Sequence, residues 1–167
     1  MPEKSVIKRA HRDARRGRSA STQAGEFVRE EMHHIRRGKH GARSTKQAIA
    51  IGLSKARRAG VKLRAPRKGT ASAETRRHAQ QDVRKGRAAG RRKPSRSRSR
   101  AVSGALRREA HRAASRSSLA RQARSSARRR GHRSLQLAAR KAVRTKGHRG
   151  RVAAARKAAR TRRMHRR

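Results

Sequence analysis

Hydrophobic and polar positions alternate with a clear period near the start of the chain and lose it towards the end. The sharpest pattern is STKQAIAIGLSKARRAG, residues 44–60, where Ile49, Leu53 and Ala56 fall at i, i+4 and i+7. That spacing gives one apolar stripe and predicts a helix over about 45–59. Ser44 with Gln47 three residues on makes a capping box at its start. Lys55, Arg57 and Arg58 crowd the last turn, where cations suit the helix dipole. Gly60 is placed to end the helix in the left-handed conformation, with Val61 folding back onto the last turn. Gly52 costs about 1 kcal/mol relative to alanine inside a helix, which points to close packing there. A second helix is predicted over about 22–37, with Ala24, Val28, Met32 and Ile35 as its stripe and Phe27 beside it. Its acids, Glu26, Glu30 and Glu31, lie towards the start, and Arg36 and Arg37 lie at the end. The intervening GKHGAR, residues 38–43, reads as a helix–helix turn. A weaker helix over about 3–16 would add Val6, Ile7, Ala10 and Ala14. The expected fold is mainly α: a small helical hairpin or three-helix module over residues 1–63, bounded by Pro66 and the GTAS stretch near Gly69.

Beyond residue 64 the apolar period fades. Residues 64–130 read as a basic linker with weak helices and the serine–arginine run SRSRSR at 95–100. Residues 131–146, GHRSLQLAARKAVRTK, and 147–162, GHRGRVAAARKAARTR, are identical at 10 of 16 positions, a tandem repeat that leads into the C-terminal end of the 131–167 segment. Sixteen residues make about four and a half helical turns. Two such units fall below the roughly three copies that a stacked solenoid needs to bury a core. Alanine, arginine and lysine favour helix, while like charges at i, i+4 oppose it. The expectation is a long basic tail, largely disordered alone and helix-prone on nucleic acid.

Composition sharpens this division. The 167 residues include 54 Lys or Arg and 8 Asp or Glu, a formal charge of +46, with 42 Arg against 12 Lys. Of 52 hydrophobic residues 31 are alanine, which leaves 21 larger apolar side chains, among them one Phe and no Tyr or Trp. That content excludes one well-packed globule of the whole length, and self-repulsion opposes compaction further. Residues 1–63 carry 17 basic and 5 acidic side chains; residues 64–167 carry 37 and 3. There is no cysteine for a disulfide or zinc-finger framework. No apolar run approaches the ~18 residues that span a bilayer, and the opening MPEKSVIKRAHRDARRG has no signal-type apolar region. A soluble intracellular protein with a polyanionic partner, and no membrane role, is the expectation. At about two phosphates per 3.4 Å of duplex, this charge could match at most roughly 23 base pairs.

Candidate chemistry is therefore electrostatic. Arginine and lysine release condensed counterions from a phosphate backbone, and arginine adds bidentate contacts. The expected nucleic-acid contacts in the tail are Arg96, Arg98, Arg100, Arg128, Arg129, Arg130, Arg140, Lys141, Arg156 and Lys157. In the hairpin they are Lys46, Lys55, Arg57 and Arg58. The hairpin is read chiefly as a non-specific phosphate binder, with a partner-binding module and a helix-turn-helix as alternatives. Only Lys46 and Gln47 suit base-edge readout. A single Phe cannot form the aromatic platform of RRM-like or OB-like binders of single strands. Glu30 with His33, and Glu31 with His34, have the E-x-x-H spacing of di-metal bundles. Such sites draw on carboxylates from other helices, which this chain has few of, so no metal ligand is assigned. No nucleophile–base arrangement or glycine-rich phosphate loop is recognisable; no catalytic residue, enzyme activity or cofactor is expected.

STKQAIAIGLSKARRAG, with the preceding STQAGEFVREEMHHIRRGKHGAR, resembles a family of small, basic, uncharacterised bacterial proteins organised around the same KQAIAIGL…ARRAG block. The resemblance covers roughly residues 1–63 and implies a bacterial cytoplasmic origin and a DNA-binding role, without site residues to carry over. The 131–162 repeats resemble the Ala/Lys/Arg-rich tails of bacterial histone-like and linker-histone-like proteins, and their arginine bias points towards protamine-like condensation. Together these readings give the expected function: a nucleoid-associated protein that binds duplex DNA without sequence preference, neutralising and bridging it. The alternative is a ribosome-associated or RNA-chaperone protein.

Overall fold

Caps fix where the first helices begin and end. The computed structural model describes residues 2–88 and 95–164, which are mainly α-helical with no strand among them. Helix α1 (Lys4–Arg15), α2 (Ala20–Arg36) and α3 (Thr45–Arg58) occupy the three predicted stretches. α2 starts two residues before its expected position because Ser19 Oγ accepts the Thr22 N–H at 3.3 Å. At the start of α3, Ser44 Oγ accepts the Gln47 N–H at 3.2 Å, while Gln47 Oε1 accepts the N–H of Arg43 at 2.7 Å, one residue before the usual capping-box partner. At its end Gly60 has φ +92°, its N–H donates to the Arg57 carbonyl, and the Val61 N–H donates to the Ala56 carbonyl, both at 3.1 Å. This is a Schellman turn, as the sequence predicts.

Small residues decide how these helices pack. The buried face of α3 is Thr45, Ala48, Gly52 and Ala56, with Ile49 and Leu53 on its half-buried flanks. A Cβ on Gly52 would lie 2.7 Å from the Cα of Val28, so α2 and α3 cross backbone to backbone at that glycine. Val6 and Ala10 of α1, Ala24 and Phe27 of α2, and Ala56 form one apolar cluster, which Ile7, Leu53, Val61 and Leu63 edge. Ala14, expected in the α1 stripe, is exposed. A second cluster joins Met32, Ile35, Ala42 and Ala48 to Ala113 and Ala114, with Val28, Ile49 and Leu119 packed against it.

That second cluster corrects the expectation of a largely disordered tail. Helix α4 (Ala73–Arg87) is capped by Ser72, whose Oγ accepts the Thr75 N–H at 3.1 Å. It packs on α3 so closely that a Cβ on Gly86 would stand 2.0 Å from the Arg57 carbonyl oxygen. Helix α5 (Arg96–Arg107), a 3₁₀ turn (His111–Ala114) and helix α6 (Arg116–Met164) follow. The end of α5 and the stretch after it are held by backbone and side-chain bonds to the hairpin. The Gly41 N–H donates to Leu106 O at 2.8 Å and the Ala42 N–H to Ala110 O at 3.1 Å. Thr45 Oγ1 donates to Ala113 O at 2.7 Å and Arg36 Nε to Ala114 O at 2.8 Å. The tail is therefore helical over most of its described length. Two causes act: Ala and Arg propensity, and a buried Ala-Ala pair whose carbonyls satisfy hairpin donors.

The chain divides into two units, residues 1–122 and 123–167. Within the second, the backbone leaves helical values at Gly131 (φ 74°, ψ 162°) and Gly147 (φ 61°, ψ −177°). These are the first residues of the two repeats. Each repeat thus opens on a glycine with non-helical backbone and continues as helix, 132–146 and then 148–164. No helix among the described residues is long and apolar enough to cross a membrane.

Candidate nucleic-acid interface

The cationic side chains fall into two classes according to whether an acid reaches them. All eight acids lie between residues 3 and 109, inside the first unit. Most are engaged there. Arg9 Nε donates to Glu26 Oε2 at 2.6 Å, Arg18 lies 3.5 Å from Asp13, and Lys39 and His34 lie 3.3 and 3.1 Å from Glu3 Oε1. The hydrogen bond from His34, and then Lys39, hold the Glu3 carboxyl below the ordinary glutamate value.

Of the four hairpin cations expected at phosphates, Lys46 is exposed on the first turn of α3. Lys55 Nζ donates to the fully buried Glu31 Oε2 at 2.5 Å. Arg58 Nε donates to Asp82 Oδ1 at 2.7 Å, which ties α3 to α4. Arg57 is buried beneath α4; desolvation lowers its pKa, with the Asp82 charge acting the other way. These three side chains thus have structural surroundings within the fold, and Lys46 alone of the four has neither a carboxylate partner nor a buried position.

The tail candidates are all exposed. Arg96, Arg98 and Arg100 lie along the first turns of α5. In the second unit, Arg128, Arg129 and Arg130 close the helical segment before Gly131, with Arg129 Nη1 donating to Ser125 Oγ at 2.8 Å. Arg140 and Lys141 sit at the same places in the first repeat as Arg156 and Lys157 in the second. The register is visible in the backbone as well: Thr145 Oγ1 donates to Lys141 O at 2.8 Å and Thr161 Oγ1 to Lys157 O at 3.0 Å. Residues 123–167 contain 18 Lys or Arg and no acid. The equivalent positions Arg133 and Arg149, and Arg144 and Arg160, are equally exposed, though the Arg-Lys pairs alone do not point to them. The repeat alignment is the signal that finds them.

Two overlapping groups of carboxylate and imidazole donors lie in the first unit, Glu31–His34–His40 and Glu3–Glu30–His34, each with one donor atom per residue within 4.8 Å of the others. His34 is common to both.

No curated protein and no solved structure matches the chain. Residues 16–69, which carry α2, the turn, α3 and its Schellman turn, match a family of unknown function (DUF6496), so about a third of the chain is similar to that family.

Proposed function

We propose that the protein binds duplex DNA without sequence preference, as a nucleoid-associated protein of bacterial cytoplasm, neutralising and bridging phosphate backbones. One observation carries this reading: the second unit holds 18 cations, 16 of them on exposed helix among the described residues, and no acid to compete for them. Solubility alone asks for a net charge of only about 2–8 in a small domain. At 1.5 Å per residue, a sixteen-residue repeat extends roughly 24 Å, about seven base-pair steps of duplex at ~3.4 Å each. The glycines that open the two repeats let successive helices take different directions along a curved backbone. The compact first unit, with most of its acids engaged by its own cations, would serve as the anchor that presents this tail and as a platform for a protein partner.

The test is a salt titration on random duplex. Affinity should fall with log–log slope near −0.9 per engaged phosphate, and removing residues 123–167 should flatten that slope and account for most of the lost affinity. A slope near zero with the whole chain would overturn the proposal. Crosslinking in cells decides the nucleic acid: recovery with ribosomal RNA in place of chromosomal DNA would transfer the same electrostatic role to the RNA-binding alternative.

A further inference from the structure

We propose that Glu31 and His34 of α2, with His40 of the α2–α3 turn, bind a divalent transition-metal ion of the zinc type. This inference is independent of the nucleic-acid reading and rests on a different part of the molecule.

The donors converge from two elements. Residues 31 and 34 lie one turn apart on α2, and His40 returns to them after the helix has ended; one donor atom from each falls within 4.8 Å of the others. The site is shielded: the Glu31 side chain is fully buried, and those of His34 and His40 are 12% and 16% exposed.

The hydrogen bonding then leaves an oxygen and a nitrogen facing each other. Lys55 holds Glu31 Oε2, while the buried Glu31 Oε1 has no hydrogen bond. His40 Nε2 of the turn lies 3.2 Å from it. His40 Nδ1 lies 3.0 Å from the Gly41 carbonyl oxygen, which can only accept, so Nδ1 carries a proton. Nε2 is therefore the ring nitrogen left to face the Glu31 carboxylate. A proton on Nε2 makes this contact an ion pair, and a metal ion taking that proton's place would be held by the same two atoms. Ligand atoms about 2.0–2.1 Å from a tetrahedral ion are roughly 3.3 Å apart, so the Oε1–Nε2 separation already has the length of one tetrahedral edge.

The surroundings supply what metal ligands usually have around them. Lys55 neutralises and orients the distal Glu31 oxygen, the Gly41 carbonyl fixes the His40 tautomer, and Glu3 Oε1 orients His34 from 3.1 Å. Beside them Glu30 Oε2 is buried without a hydrogen bond, Oε1 accepting the Glu3 N–H at 2.7 Å. Glu3, Glu30 and Glu31 are three of the eight acids of a +46 chain, gathered against the charges of Lys39 and Lys55. Two imidazoles and one carboxylate suit zinc and its neighbours rather than magnesium or calcium. The ion would pin the turn whose next two residues, Gly41 and Ala42, hold the 106–110 stretch. Its role is structural.

The experiment uses the full chain, stripped of nucleic acid and metal and titrated with Co²⁺. Binding of one equivalent with the strong visible bands of a low-coordinate Co²⁺ site, displaced by Zn²⁺, is the expected result, together with a Zn²⁺-dependent rise in melting temperature. His40→Gln should weaken Zn²⁺ affinity by at least the roughly 10–100-fold that loss of an outer-shell partner alone costs. His132→Gln, in the tail, should leave affinity unchanged. Circular dichroism keeps the His40 variant interpretable, and His34→Gln should repeat its effect. Absence of stoichiometric Co²⁺ binding to the whole protein would overturn the proposal, as would binding that survives both the His34 and His40 substitutions.

Discussion

Gly52 and Gly25 sit in neighbouring helices and answer opposite demands. Alanine favours a helix interior by about 1 kcal/mol over glycine. At Gly25, where an added Cβ meets nothing within 4 Å, that preference should show: Gly25→Ala is expected to stabilise the first unit by about 0.5–1 kcal/mol. At Gly52 the same methyl would press on the Val28 backbone, which cannot turn aside as a side chain can. Gly52→Ala should therefore destabilise by about 1–3 kcal/mol. Urea unfolding of the two variants against the parent checks both signs, and equal midpoints would contradict the close crossing of α2 and α3. The need for a small residue at 52 is readable from the sequence as a glycine inside a capped, periodic helix; which backbone approaches it is not.

Among the helices, legibility followed the source of the stabilising signal. α1, α2 and α3 were legible because large apolar residues recur at helical spacing and Ser44 and Gly60 mark the limits of α3. α4 and the stretch around the 3₁₀ turn were not, since their anchors are Ala79, Asp82, Gly86, Ala113 and Ala114. Alanine and glycine give no hydrophobic period, and the bonds from Thr45 and Arg36 reach partners 68 and 78 residues away. The candidate site divided in the same manner: exposure of tail arginines could be read from composition, whereas the use of Lys55, Arg57 and Arg58 inside the fold depends on Glu31 and Asp82, placed by packing. The repeats give an element-scale prediction. Gly131 and Gly147 adopt a backbone region that is essentially glycine-only. Replacing both by alanine puts about 1–3 kcal/mol of strain at each break, with open space around the new methyl groups. The relief available is to continue the helix. Far-UV circular dichroism should show more helix in the double variant, with unfolding of the first unit unchanged; a loss of helix would show that these breaks are held by something other than glycine's freedom.

For the molecule as a whole, the sparse supply of acids and large apolar residues is concentrated where a core is built. The first unit takes all eight acids, and the second takes 18 cations alone. The sequence places the end of the folded module near residue 63, yet Ile35 and Met32 are covered in part by Ala113, Ala114 and Leu119. Cutting the chain after residue 63 removes those covers, the α4 partner of Arg58, and the acceptors for Thr45 and Arg36. A fragment of residues 1–122 should unfold as one cooperative transition, and a fragment of residues 1–63 should not. Thermal melts followed by circular dichroism distinguish them: matching, sharp transitions would place residues 64–122 outside the cooperative structure.

The glycine interruptions also bear on release. A helix of about fifteen residues sits near the ~12–15 below which an isolated helix is marginal in water, so each repeat melts and re-forms on its own account. On the proposed reading, one cassette can let go while its neighbour stays seated, and the tethered cassette recaptures a phosphate tract at high local concentration. The protein would then leave a chromosome by peeling, and free competitor DNA, by occupying the vacated cassette, would hasten its departure.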